Sequence, residues 1–254
     1  HGAAAAPIID GENIIVHVGS TQGASLVAFR KTTGEVIWKS QNDQSAYAPP
    51  ILTTLAGVRQ LIAFTAEALI GVDPRNGNLL WRVPLKTALG RHVTTPVVFN
   101  DLVLVASHQI GLVATRVTAA GDGFEATEAW TNKKVGINFS SPVVVGEHLY
   151  GLGPARNVVC IDVKTGNIEW EQTGLIQTSP DRAEAAFMVL GANVLMLTDS
   201  GELILFAAEP SGYREIARTQ VCGTNWCNPA YSNGYLYLRD ARELLCVELV
   251  SGER

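Results

Sequence analysis

Residues able to do acid–base, nucleophilic or metal chemistry are present in this chain but are not gathered. The five histidines, His1, His17, His92, His108 and His148, stand singly, without the second donor at short spacing that a metal site needs. No metal ligand set is expected. Cys160 and Cys246 occupy Val-Val-Cys-Ile-Asp and Leu-Leu-Cys-Val-Glu, alternating patterns in which a small apolar side chain is expected to be buried and inert. Cys222 and Cys227 flank Gly-Thr-Asn-Trp, a spacing that a disulfide could close and that two free thiols could equally occupy. There is no Gly-x-Ser-x-Gly, no phosphate-binding Gly-x-x-x-x-Gly-Lys-Ser/Thr and no His-Glu-x-x-His. Gly121-Asp-Gly123 opens like a dinucleotide fingerprint, but Ala126 stands where its last Gly belongs. Asp73, Asp162 and Glu248 recur at one repeat position, where a carboxylate braces a turn by accepting backbone hydrogen bonds, so they are read as scaffold. No catalytic residue is assigned.

What remains is a set of loop residues: Tyr47, Arg91, His92, Asn138, Arg182, Trp226 and Asn228. They fall in the segments 41–50, 84–96, 131–142, 171–187 and 219–229, which are expected to converge on one face. Aromatic, basic and amide groups in such a set suit a peptide, a sugar or an anion. A net charge of -5 with 17% charged residues leaves no basic field for nucleic acid. The most apolar stretch, 185–197, contains Asn193 and falls short of the roughly 18–20 apolar residues of a membrane-spanning helix.

The elements that must position these residues form a repeat. Ala28 to Trp38, Gly71 to Trp81 and Cys160 to Trp170 share one pattern: a small residue, a polar one two later, then Gly34, Gly77 or Gly166, then Trp four residues on. Val113 to Trp130 is a copy interrupted around Gly121-Asp-Gly123. Leu205 to Arg218 keeps Gly212 without a Trp, and the copy starting at Cys246 runs out after Gly252. Trp38, Trp81, Trp130 and Trp170 recur at roughly 40–50 residues, the period of a four-stranded propeller blade. Pro7, Pro50, Pro96, Pro142 and Pro229 each precede a hairpin pattern, as a proline at the first position of a strand can. One all-β domain is expected, a β-propeller of about six four-stranded antiparallel blades, with approximate bounds 1–40, 41–83, 84–131, 132–172, 173–219 and 220–254. Trp38, Trp81, Trp130 and Trp170 are assigned to blade docking, because a blade cannot bury both faces alone.

These motifs resemble the quinoprotein-type, PQQ-binding-like β-propeller repeat family, whose docking pattern runs Ala-x-Asp-x-x-x-Gly-x-x-x-Trp. The resemblance covers nearly the whole chain and implies about eight blades, against six here, and an exported, periplasmic protein. For the dehydrogenases of that family it also implies pyrroloquinoline quinone, calcium, a catalytic Asp and adjacent cysteines, whereas Cys222 and Cys227 lie apart and no Cys-Cys occurs. Outer-membrane assembly propellers resemble the same repeat and act by protein contact. The expectation is therefore a noncatalytic binding or assembly module for a protein or polymer partner, without a cofactor. A quinoprotein-like oxidoreductase with quinone and calcium, and a repeat fragment without independent function, are the alternatives.

Overall fold

In the computed structural model, which describes residues 4–177 and 183–249, the regular elements are all β-strands. They form six antiparallel sheets, each ordered as in the sequence, in two compact units, His1–Asn138 and Phe139–Arg254. The first unit holds β1 (Ile8–Asp10), β2 (Asn13–His17), β3 (Leu26–Arg30) and β4 (Val36–Ser40) in one sheet. Its second sheet is β5 (Ile51–Leu55), β6 (Val58–Phe64), β7 (Ala68–Val72) and β8 (Leu79–Pro84), and its third is β9 (Val97–Phe99), β10 (Leu102–Ser107), β11 (Gly111–Ala120) and β12 (Gly123–Asn132). The second unit begins with β13 (Val143–Val145), β14 (His148–Leu152), β15 (Val158–Asp162) and β16 (Ile168–Gln172). Then come β17 (Ala185–Leu190), β18 (Asn193–Thr198), β19 (Glu202–Ala207) and β20 (Glu215–Gln220), and last β21 (Ala230–Ser232), β22 (Tyr235–Arg239) and β23 (Leu244–Glu248). The fold class is the β-propeller, each sheet a blade. No described helix is long and apolar enough to cross a membrane.

One register rule runs through the blades. In the pairing of third and fourth strands, Trp38 lies opposite Ala28, Trp81 opposite Gly71, Trp130 opposite Ala114 and Trp170 opposite Cys160. An indole can lie flat across its own sheet only where the opposing side chain is small, because close-packed interiors have no spare volume. The fifth blade lacks the Trp and inverts the pair: Ala217 lies opposite Leu205. Directly after this position the register slips in all five pairings, so that Ile37, Leu80, Ala129, Glu169 and Ile216 are the extra residues of β-bulges. Such bulges sharpen strand twist, which suits the outer strand of a strongly twisted blade.

Docking of one blade on the next is visible within each unit. Trp38 packs among Leu61, Ala63, Ile70 and Val72 of the second blade, and its Nε1 donates to the Pro74 carbonyl at 3.0 Å. Gly77, at φ 74–75° like Gly34 and Gly166, brings the turn so close that a Cβ there would collide with the Trp38 ring and Ser40. Trp170 repeats this contact: its Nε1 donates to the Glu209 carbonyl at 2.8 Å, and its ring meets Tyr150, Phe206 and Tyr213 edge-on or tilted. Trp81 packs among Val103, Val105, Val113 and Val117 of the third blade. That blade replaces the docking turn with the long β11–β12 hairpin, closed tightly at Gly121-Asp122. Trp81 Nε1 instead donates to Gln60 Oε1 of its own blade at 2.7 Å, and the buried Gln60 passes its own N–H to the Leu55 carbonyl.

As read from sequence, Cys160 is fully buried, and Asp73 and Asp162 brace turns, accepting the amides of Arg75 and of Lys164 and Thr165. Cys246 is a correction: it is exposed. It holds the small-residue position of β23, but among the described residues no fourth strand lies opposite it, so nothing covers the thiol as Trp170 covers Cys160.

The register rule is testable. Gly71→Ala places a Cβ inside the Trp81 indole and should lower stability by about 2–3 kcal/mol. Gly34→Ala meets no neighbouring atom but holds φ 74°, and should cost about 1 kcal/mol. Urea unfolding distinguishes them, and equal losses would mean that the indole is not seated on Gly71.

Candidate functional site

The blades spend their faces on one another, so accessible chemistry collects at their ends. In each unit a cavity forms from the same two kinds of connection: the turn between second and third strands, and the segment that leads into the next blade.

In the first unit, the segments 18–25, 41–50 and 84–96 enclose a cavity of about 510 Å³. Tyr47 and Ala48 donate their backbone N–H groups to the His92 carbonyl at 2.9 Å, tying two of these segments together. Gly19, at φ 75°, lets the third approach: any Cβ there would overlap Ser45. Behind this loop layer Asp43 is buried, and its Oδ2 accepts from Thr65 Oγ1 at 2.7 Å and Arg82 Nη1 at 2.8 Å. Tyr47 and Arg91, both picked out by sequence, line the cavity, the first half-buried and the second exposed. His92 follows Arg91 but turns inward: it is fully buried and stacks on Phe64, ring centroids 4.0 Å apart. Asn138, half-buried, closes the unit.

In the second unit, a cavity of about 730 Å³ lies among Asp199, the loop 224–227 and the turn 239–241. Trp226 lines it with 57% of its surface exposed, its ring 5.4 Å from that of Phe139. Asn228 is exposed on the same loop, and Arg182 lies outside the described residues. Ser140 Oγ accepts from the Ala185 amide at 2.9 Å, so three of the expected loop segments do meet within this unit. Burial, and next the Asp199 carboxylate, push the Glu184 carboxyl up to about 7. Backbone amides of Arg242, Glu243 and Gly223 hold Asp240 below its ordinary range.

Cys222 and Cys227 are free thiols; burial first, then Asp240 and Cys227, push Cys222 up, and Cys227 Sγ donates to the Arg239 carbonyl at 2.6 Å. A raised thiol pKa keeps the reactive thiolate scarce. Burial likewise raises Cys160 to about 11. One grouping escaped sequence reasoning: His148, Asp162 and the bulged Glu169 bring donor atoms within 4.8 Å of one another. They come from three adjacent strands, so no linear spacing could reveal them. Asp162 already uses Oδ1 to brace its turn.

Burial holds His92 down at about 4, against weaker raising contributions from the backbone of Leu85 and Ala66, and it lowers His17 as well. A histidine whose folded pKa is depressed takes up a proton more readily when unfolded. Its contribution is full above the unfolded value near 6.5 and is lost as pH falls toward 4. Glu184 acts oppositely, being protonated more readily when folded, so the two partly cancel in the native chain. His92→Phe isolates the first effect: between pH 7 and pH 4 the parent chain should lose up to about 3 kcal/mol relative to this variant, as measured by urea unfolding at several pH values.

The comparisons with known proteins agree with this architecture. BamB from Moraxella catarrhalis superposes with a TM-score of 0.68 at 17% identity, over 96% of this chain and 72% of that one. The computationally designed Ika8 protein gives 0.65 at 11% identity, over 98% and 71%. Quinohemoprotein alcohol dehydrogenase from Comamonas testosteroni gives 0.53 at 14% identity, over 89% of this chain but only 44% of the enzyme. At such identities these likenesses speak for the fold. No curated protein matches by sequence. A family model described as outer membrane protein assembly factor BamB matches residues 1–172, more than half of the chain, and the chain belongs to that family.

Proposed function

We propose that this chain is a noncatalytic binding module of outer-membrane protein assembly, exported to the periplasm, which holds a protein partner at the loop ends of its blades. Its membership of the BamB family is the observation that carries this reading. The site geometry supports it. Trp38, Trp81 and Trp170 are used up in packing, while Trp226 stays more than half exposed beside a cavity of about 730 Å³. Exposed indoles seated at a pocket are frequent anchors of protein interfaces, and their truncation commonly costs 2 kcal/mol or more. Arg239, Asp199 and Asp240 line the same cavity, so its charged groups are of both signs.

Purified components of the outer-membrane assembly machinery from the source cell, titrated against the whole chain by interferometry, provide the test. At least one should bind saturably, and Trp226→Ala should weaken it about tenfold or more. Absence of binding to every component, or binding indifferent to Trp226→Ala and Asn228→Ala alike, would overturn this reading.

The module is proposed to work without a quinone. The residues do not fit a quinoprotein centre, since no adjacent cysteines exist in the sequence and the Cys227 thiol is engaged by Arg239. Titration with pyrroloquinoline quinone and calcium should therefore give no visible absorbance change, no thermal shift and no dye-linked oxidation of alcohols or sugars. Saturable quinone binding with turnover would put the oxidoreductase reading in its place.

A further inference from the structure

His148, Asp162 and Glu169, from β14, β15 and β16 of the fourth blade, each bring a donor atom within 4.8 Å of the other two. Among the described residues no other three histidine, cysteine, aspartate or glutamate side chains meet so closely. Sheet register explains the first two. His148 lies opposite Asp162, and alternation puts both on the face of Tyr150 and Cys160, which pair two residues away. Glu169 directly precedes Trp170, the partner of Cys160, so in a regular strand it would point to the opposite face. It is instead the extra residue of the β-bulge, and a bulge re-aims a side chain.

The corresponding positions of the other blades hold no such set. Asn13 lies opposite Arg30, Leu102 opposite Arg116 and Asn193 opposite Ala207. The bulged residues there are Ile37, Leu80, Ala129 and Ile216, of which Ile37 and Leu80 pack against apolar clusters. The fourth blade thus has a carboxylate where the repeat elsewhere has an apolar side chain, and sets it beside a second carboxylate and an imidazole. Two carboxylates at this range repel each other, and a divalent cation between them removes the repulsion.

Part of the set is already fixed. Asp162 Oδ1 accepts from the amides of Lys164 and Thr165 at 2.8 Å and from Thr165 Oγ1 at 3.0 Å, which locks the carboxylate and leaves Oδ2 for a ligand. The Lys164 ammonium is paired with Glu147. His148 is half-buried, while Glu169 is exposed and able to swing inward. One imidazole nitrogen with two carboxylates suits zinc and similar divalent transition metals, water filling the remaining position. Bonds of about 2.0–2.2 Å put the donors of a tetrahedral zinc about 3.3 Å apart. The three have to close by at most about 1.5 Å, a movement within the reach of the Glu169 side chain.

We propose that His148, Asp162 and Glu169 bind a divalent transition metal ion, zinc in the first instance, which ties β14, β15 and β16 of the fourth blade together. The site shares no residue with the cavity at Trp226 on which the partner-binding role rests, so either can fail without the other.

Calorimetric titration of the whole chain with zinc chloride, and separately with calcium chloride, tests the proposal. One equivalent of zinc should bind saturably with a Kd of about 100 μM or tighter, and about tenfold more tightly than calcium, which prefers oxygen ligands alone and more of them. Zinc in large excess over its Kd should raise the thermal unfolding midpoint by about 5 °C. Glu169→Gln and His148→Gln should each weaken zinc binding about tenfold or more and remove that rise. Melts of both variants without metal check that the fold is kept. Cys222→Ser combined with Cys227→Ser removes the thiols that could compete for zinc, and should leave its binding unchanged. Absence of saturable zinc binding, binding untouched by both Glu169→Gln and His148→Gln, or binding lost with the two thiols would overturn the site. Calcium binding as tightly as zinc would overturn the choice of metal.

Discussion

A buried indole brings an N–H that must find an acceptor, and much of this structure is organised around where that acceptor comes from. An unpaired buried donor costs about 1–3 kcal/mol, enough to forfeit much of what the ring contributes by packing. Trp38 and Trp170 find carbonyls in the docking turns of the next blade, at Pro74 and Glu209. That solution fixes the spacing of Trp, turn and small residue together, because ring, sheet and turn must come into contact at once. Where the third blade gives up its docking turn for a long hairpin, Gln60 supplies the acceptor from the same blade as Trp81 and needs Leu55 to accept in return. A departure at one blade is thus answered by a residue of its neighbour.

The same constraint decides where function can be housed. With sheet faces committed to stacking, the free variables are the connections at the blade ends, and in both units these are the segments that form cavities. The two cavities differ in chemistry because their connections are unrelated in sequence. One is built mainly of hydroxyls and amides with a single guanidinium, and the other of two carboxylates and a guanidinium beside an exposed indole. A repeat scaffold can therefore diversify its loops without disturbing the packing that defines the blade.

Blades, turns and docking tryptophans were legible in the sequence because each rests on a short-range pattern: alternation within a strand, a left-handed glycine in a turn, a fixed step from Gly to Trp. Cys246 was misjudged because its pattern is that of Cys160, while its burial depends on a fourth strand that no residue of β23 can signal. His92 was singled out by its place in a loop; its inward turn onto Phe64 is a tertiary fact. The segment 18–25 escaped notice, since its role follows from the approach of Gly19 to Ser45 across about 26 residues of sequence. Tyr47 and Arg91 came together as their flanking segments suggested, and Trp226 proved exposed where every other described tryptophan is at least half-buried.

The layer between the apolar blade core and the first cavity bears on how that cavity should be understood. Asp43, His17 and His92, which lie in or beside the loop segments of this cavity, are all nearly inaccessible. Asp43 is satisfied by Arg82 and Thr65 and stiffens the layer. Burial holds both imidazoles toward the neutral form, against weaker backbone contacts from Gln44 to His17 and from Leu85 and Ala66 to His92, which weakens the fold as pH falls. A layer optimised only for stability would not keep them, since an apolar side chain of similar volume avoids the desolvation altogether. What the two imidazoles give in return is contact between segments far apart in sequence: His17 with the backbone of Gln44, and His92 with Phe64 and the backbone of Ala66.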